Sequence, residues 1–229
     1  MVTASKDKTA RLWDAQSGQL LQTFSEEQSD SGYQYFDVNA TFSPDGKSVA
    51  TVLKYATVRM WNVQSNLLLQ TLSGHQERLV HAAFSPDGLK VVTTSYGTAH
   101  LWNAQSKQSD RISCRHRGRG YDQKQLSHTA FSPNGQTVVT AYWDGVICLL
   151  DAQSGKLLQL ERHQGPVEHI AFSPDGKTMV TVYQDGIARM WNVQSGQFLH
   201  KLEGHQGSVK HATFSHDGKQ PLDKKIIGS

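Results

Sequence analysis

One stretch constrains the fold of this chain more than any other. Phe42-Ser-Pro-Asp-Gly-Lys47 returns as Phe84-Ser-Pro-Asp-Gly88, Phe131-Ser-Pro-Asn-Gly135, Phe172-Ser-Pro-Asp-Gly-Lys177 and Phe214-Ser-His-Asp-Gly-Lys219. The steps between these phenylalanines are 42, 47, 41 and 42 residues. A second string keeps the same period: Trp13-Asp-Ala-Gln-Ser-Gly18, Trp61-Asn-Val-Gln-Ser65, Trp102-Asn-Ala-Gln-Ser106, Leu150-Asp-Ala-Gln-Ser-Gly155 and Trp191-Asn-Val-Gln-Ser-Gly196. Self-similarity at a fixed period marks one structural unit copied along the chain. Proline presets φ and glycine accepts a left-handed backbone, so Pro-Asp-Gly is a turn, and the two strings punctuate short strands.

The residues between the turns alternate apolar and polar over runs of four to eight, the strand period. The first unit offers three strands, Met1–Ser5, Thr9–Trp13 and Gln19–Phe24. Each later unit offers four. One runs into the Pro-Asp-Gly turn (Tyr35–Phe42, Leu79–Phe84, Leu126–Phe131, Val167–Phe172), and the second follows it (Ser48–Leu53, Lys90–Ser95, Thr137–Tyr142, Thr178–Tyr183). The third ends at the tryptophan or its substitute (Ala56–Trp61, Thr98–Trp102, Val146–Leu150, Ile187–Trp191), and the fourth closes the unit (Leu67–Leu72, Gln108–Ser113, Lys156–Leu160, Gln197–Leu202). A last first-type strand, Val209–Phe214, stands alone. No segment shows the 3.6 period of an amphipathic helix, so the chain is expected to be all-β. Four antiparallel strands cannot bury both faces alone, and radial stacking of such units gives a β-propeller.

Gly-His before a unit, Phe-Ser-Pro-Asp-Gly within it and Trp-Asp at its end resemble the WD-repeat (WD-40) β-propeller family, over roughly residues 1–219. The regularity of the copies is similar to that of bacterial WD-repeat proteins, in which the propeller is one part of a larger multidomain signalling protein. The resemblance implies a hydrogen-bonded set in each blade: a histidine before it, a threonine, an aspartate and the tryptophan. His163, Thr181, Asp185 and Trp191 form the complete set, and His205 joins Thr3, Asp7 and Trp13 if the ring closes. His75, Thr93 and Trp102 lack the aspartate, His116, Thr140 and Asp144 face Leu150, and Thr51 and Trp61 have Tyr55 in its place. About five blades are expected, as units 1–24, 35–72, 79–113, 126–160 and 167–202 with a partial 209–219. Either the orphan strand at 209–214 completes the first unit in a closed ring, or the chain is a truncated arc. Residues 220–229 are a tail outside the repeat.

Little in the sequence points to catalysis. Ala171-Phe-Ser-Pro-Asp-Gly-Lys-Thr178 is one glycine short of a phosphate-binding loop, and it leads into a strand where that loop needs a helix N-terminus. No helical metal-binding pair and no nucleophile elbow occurs, so no cofactor, metal or catalytic residue is expected. No apolar run approaches the ~20 residues of a membrane helix. Cys114 and Cys148 have no metal-ligand spacing, which suits two thiols in a cytoplasmic protein. Asn39, His81, His128, His169 and His211 each stand three residues before a repeat phenylalanine, on the innermost strand of a propeller. They face the channel, either as a repeated packing position or as a ring for a metal, an anion or protons. The packing reading assumes that ring-related copies stand apart.

The charge distribution says more. The net charge is +3, yet Lys107–Lys124 alone carries +4, from Lys107, Arg111, Arg115, Arg117, Arg119 and Lys124 against Asp110 and Asp122. An acidic stretch holds Glu26, Glu27, Asp30 and Asp37. Both segments, 27–42 and 116–131, are six residues longer than their counterparts and join the fourth strand of one unit to the first of the next. Arginines grip carboxylate or phosphate bidentately, and His116 sits among them. An arginine loop beside an acidic one fits a protein or peptide partner better than nucleic acid, which wants a broad basic surface with stacking aromatics. The expected function is a non-catalytic scaffold that docks protein partners through loops or blade edges. The alternative is binding of RNA or another polyanion by residues 107–124.

Overall fold

The computed structural model describes residues 1–5, 7–25, 39–54, 56–76, 79–95, 98–106, 109–112, 126–162 and 165–218. They fall into two compact units, residues 1–113 and 114–229. The first unit begins with β1 (Val2–Ser5), β2 (Thr9–Trp13) and β3 (Leu20–Ser25), a three-stranded sheet. A four-stranded sheet follows in chain order: β4 (Asn39–Phe42), β5 (Ser48–Lys54), β6 (Thr57–Asn62) and β7 (Leu68–Ser73). Another holds β8 (Leu79–Phe84), β9 (Lys90–Ser95), β10 (Thr98–Asn103) and β11 (Ser109–Ile112). The second unit has β12 (Leu126–Phe131), β13 (Thr137–Tyr142), β14 (Val146–Asp151) and β15 (Leu157–Arg162). Its other sheet has β16 (Val167–Phe172), β17 (Thr178–Tyr183), β18 (Ala188–Asn192) and β19 (Phe198–Leu202). Every ladder is antiparallel between neighbours in sequence, as hairpins demand.

The repeat string is the turn between the first and second strands. In it Ser43 Oγ donates to Asp45 Oδ1 at 2.6 Å, the Lys47 N–H donates to the same oxygen at 3.0 Å, and the Ser48 N–H donates to Ser43 Oγ at 2.9 Å. The serine hydroxyl first, then the backbone N–H, hold the Asp45 carboxyl below the ordinary range, and Asp87 and Asp175 repeat this. The last turn residue has φ near +70° at Gly46, Gly88, Gly135 and Gly176, a region open to glycine. The turns also touch: a Cβ on Gly88 would stand 3.4 Å from Pro44, and one on Gly176 3.3 Å from Asn134.

Sheets pack face to face because each has two apolar faces. Ala10, Leu12 and Phe24 of the first sheet meet Val49 and Trp61 of the second, and the Phe24 and Trp61 rings lie 5.4 Å apart. Ala50, Val52, Val58, Met60 and Leu72 then meet Leu79, Ala82, Val91 and Trp102. In the second unit Val139, Ala141, Ile147 and Leu149 meet Ile170, Met179, Tyr183 and Trp191. Within each unit, one face of a sheet is thus keyed to the opposite face of the next.

Two expectations change. Val209–Phe214 forms no strand; only Phe214 makes an isolated bridge. The segment lies as a strap, with Val209, Ala212 and Phe214 against Val180, Val182 and Ala188, and Lys210 Nζ donating to Glu168 Oε1 at 2.9 Å. The N-terminal sheet keeps three strands, so the pairing that would complete it from 209–214 is not formed among the described residues. The second change concerns sulfur. Cys148, buried on β14, is disulfide-bonded, so the expectation of two free thiols fails and the argument it lent to a reducing compartment goes with it.

Candidate functional site

The polar set implied by the resemblance forms in part. Threonine on the second strand and tryptophan on the third face the same way because they are cross-strand neighbours. Trp13 Nε1 donates to Thr3 Oγ1 at 2.8 Å, Trp61 to Thr51 at 2.9 Å, Trp102 to Thr93 at 2.7 Å and Trp191 to Thr181 at 2.8 Å. His163, His116 and Tyr55 lie outside the described residues. His205 is exposed, with its carbonyl oxygen over the Gly186 turn of its own unit.

The aspartates have other partners. Asp185 takes the Arg189 guanidinium at 2.8 Å and the Ile187 N–H at 3.0 Å, and Arg189 lies 4.6 Å from the Tyr183 ring centre. Partial burial opposes ionisation of Asp185, yet the Arg189 and Ile187 hydrogen bonds hold its carboxyl below the ordinary range. Asp7 is held low chiefly by the Thr9 hydroxyl at 2.6 Å, with Arg11 at 3.6 Å. The signal was legible: Arg11, Arg59 and Arg189 each stand two residues before a repeat tryptophan, on the same strand face.

The third sheet replaces its missing aspartate with hydroxyls. Thr93 Oγ1 accepts from Trp102 Nε1 and shares a hydrogen bond with His75 Nε2 at 2.7 Å. His75 Nδ1 hydrogen-bonds with Ser95 Oγ at 3.0 Å, and Ser95 Oγ with Thr98 Oγ1 at 2.7 Å. This chain of five side chains, buried except at half-buried Thr98, contains no acid. In the fourth sheet Thr140 and Leu150 are buried, and Asp144 Oδ1 accepts from the Val146 N–H.

The inner-strand histidines correct an expectation. The packing reading set the copies apart, whereas in the second unit they touch. The rings of His128 on β12 and His169 on β16 lie 5.3 Å apart, edge to face, and His169 lies 4.0 Å from His211 on the strap. Adjacent blades bring the same register position side by side, so three copies make a column. Burial first, then the His211 and His128 imidazoles, push His169 down to about 4; burial alone lowers His128. The His169 Nδ1 atom is buried with no hydrogen-bond partner. Asn39 and His81 hold the equivalent places on β4 and β8 of the first unit, half-buried. Among the described residues no three His, Cys, Asp or Glu side chains are grouped to hold a metal.

Apolar pairs stand outside these internal bonds on the outer strand of each sheet whose side chains are described there. Leu20 and Leu21 on β3, Leu68 and Leu69 on β7, Leu157 and Leu158 on β15, and Phe198 and Leu199 on β19 are all exposed, as is Trp143 in the β13–β14 turn. The charged candidates Glu26, Glu27, Asp30, Asp37, Arg115, His116, Arg117, Arg119 and Lys124 lie outside the described residues. Arg111 sits on β11, where only its backbone is described. No helix among the described residues is long and apolar enough to cross a membrane, which says nothing of a β-barrel.

Residues 66–103 and 112–151 match the WD domain, G-beta repeat, and residues 158–217 match the anaphase-promoting complex subunit 4 WD40 domain. Together these matches take in more than half of the chain, and the chain belongs to the WD-repeat family. Its sheets are propeller-type blades. The crystal structure of the computationally designed Ika8 protein is similar with a TM-score of 0.74 and 28% identity, over 93% of this chain. The chain spans 62% of that designed chain. No curated protein matches it. Domains of the WD-repeat family are generally non-catalytic and generally bind protein partners.

Proposed function

We propose that this chain is a non-catalytic scaffold that docks an extended protein segment along blade edges and the charged loops beside them. One observation carries the reading: the repeated polar residues are spent on internal hydrogen bonds, while apolar pairs stand exposed on each outer strand whose side chains are described. An edge strand offers unpaired N–H and C=O groups for an added strand, and its leucines supply apolar contact. The residues 107–124, with Arg115, Arg117 and Arg119, select an acidic partner.

The test uses fluorescence anisotropy with two labelled probes, a short acidic peptide alternating glutamate and leucine, and poly(U). The scaffold reading expects the peptide to bind and its affinity to fall in R115E/R117E/R119E. A Leu68→Lys/Leu69→Lys variant weakens it as well. Failure of the peptide to bind, with poly(U) binding that falls log-linearly with salt, replaces this reading by polyanion binding.

A further inference from the structure

The β16–β19 sheet is left open on a face that is covered elsewhere. Leu202 on β19 is 41% exposed, whereas its repeat equivalents Phe24 and Leu72 are 1% and 2% exposed. Both of those are covered by the neighbouring sheet, through Trp61 and Trp102 respectively. Among the described residues, the 209–214 strap covers the inner part of the β16–β19 face, on Val180, Val182 and Ala188. The strap carries an inner-strand sequence, yet among the described residues no sheet includes it, and its one backbone bridge is at Phe214. Conversely, among the described residues β1 is the edge of a three-stranded sheet that holds no inner strand, and Trp13 beside it is the repeat equivalent of Trp61.

We propose that a second copy of this chain docks its β1–β3 sheet on the β16–β19 face, with its β1 pairing to the first copy's 209–214 strap. Two chains then make one four-stranded blade. The surfaces are the two halves of the interface that joins β1–β3 to β4–β7 within one chain, so the fit is one the sequence already makes. Trp13 of the second copy takes the place over Leu202 that Trp61 takes over Phe24. The register follows from β16 and β17, where Phe172 faces Met179, Ala171 faces Val180 and Ile170 faces Thr181. Shifted by one repeat, Phe214 faces the second copy's Met1, Thr213 its Val2 and Ala212 its Thr3. The two surfaces differ, so the contact is head to tail and propagates into rings or open chains instead of a two-fold dimer. This inference stands apart from the reading of the partner-binding edges.

Two experiments on the full chain decide it. Sedimentation velocity over a dilution series should give a mass above the 25.4 kDa monomer that rises with concentration. Leu202→Glu should weaken association by about tenfold or more, as removal of a central apolar anchor does. Leu202 is exposed in the single chain, so the variant should keep its circular dichroism spectrum. In the second experiment, chains bearing only Ala212→Cys are mixed with chains bearing only Thr3→Cys and oxidised, since directly opposed strand residues lie within disulfide reach. A 212–3 linkage between chains, identified by mass spectrometry, supports the proposal. Monomer mass at every concentration overturns it. So does a 212–3 linkage that forms only when both cysteines are on one chain, because the pairing is then intramolecular.

Discussion

His169 gives the sharpest test of the inner column. Its ordinary pKa of 6.5 is pushed down to about 4 in the folded chain. A base that is harder to protonate when folded costs stability as pH falls, because the unfolded chain takes the proton first. The loss begins as pH drops through 6.5 and is complete below about 4. Linkage gives a loss of about 2 kcal/mol between neutral pH and about pH 5. His169 is only half-buried, so solvent screening reduces this to about 1 kcal/mol. His128 adds in the same direction, since burial lowers it too. Glu168, held low by the Lys210 hydrogen bond, loses its contribution only as pH falls below the ordinary carboxylate range, outside this window. Urea unfolding followed by tryptophan fluorescence at about pH 7.5 and about pH 5 measures the effect. His169→Gln, which cannot titrate, should lose about 1 kcal/mol of the pH dependence. An unchanged pH dependence in His169→Gln would refute the argument, since the imidazole would then be as well solvated folded as unfolded.

Three further outcomes are expected from urea midpoints. Thr93→Val deprives both Trp102 Nε1 and His75 Nε2 of a buried partner and should cost about 2–4 kcal/mol, against about 1–2 for Thr51→Val, where only Trp61 loses a described side-chain partner. Leu72→Ala should cost about 2–4 kcal/mol as a buried cavity, while Leu202→Ala at the same repeat position, measured in dilute chain, should cost under about 1 kcal/mol. Gly176→Ala places a side chain on a left-handed residue near Asn134 and should cost about 1–2 kcal/mol; no loss would mean that the turn relaxes freely.

The sequence by itself determined the strands and their order. The Pro-Asp-Gly turn and the tryptophan string fix where each hairpin begins, and sixteen of the described strands, from β1 to β19 with β4, β11 and β15 set aside, match the expected spans to within a residue or so at each end. Those spans rest on alternation and turn chemistry, which are local. The threonine–tryptophan bonds were legible for the same reason, because cross-strand pairing sets them once the hairpins exist. Tertiary structure decided what depends on neighbours. The sequence could not say that Ser95 and Thr98 would extend the His75 chain, or that His128, His169 and His211 would meet. Nor could it say that 209–214 would lie as a strap, or that Cys148 would be in a disulfide. Each turns on distances between segments roughly 40 residues apart, or on a side chain that finds a partner outside its own pattern. Leu202 shows the difference most plainly. It has the same repeat position as Leu72, and only the presence or absence of a sheet over it makes one a core residue and the other a surface.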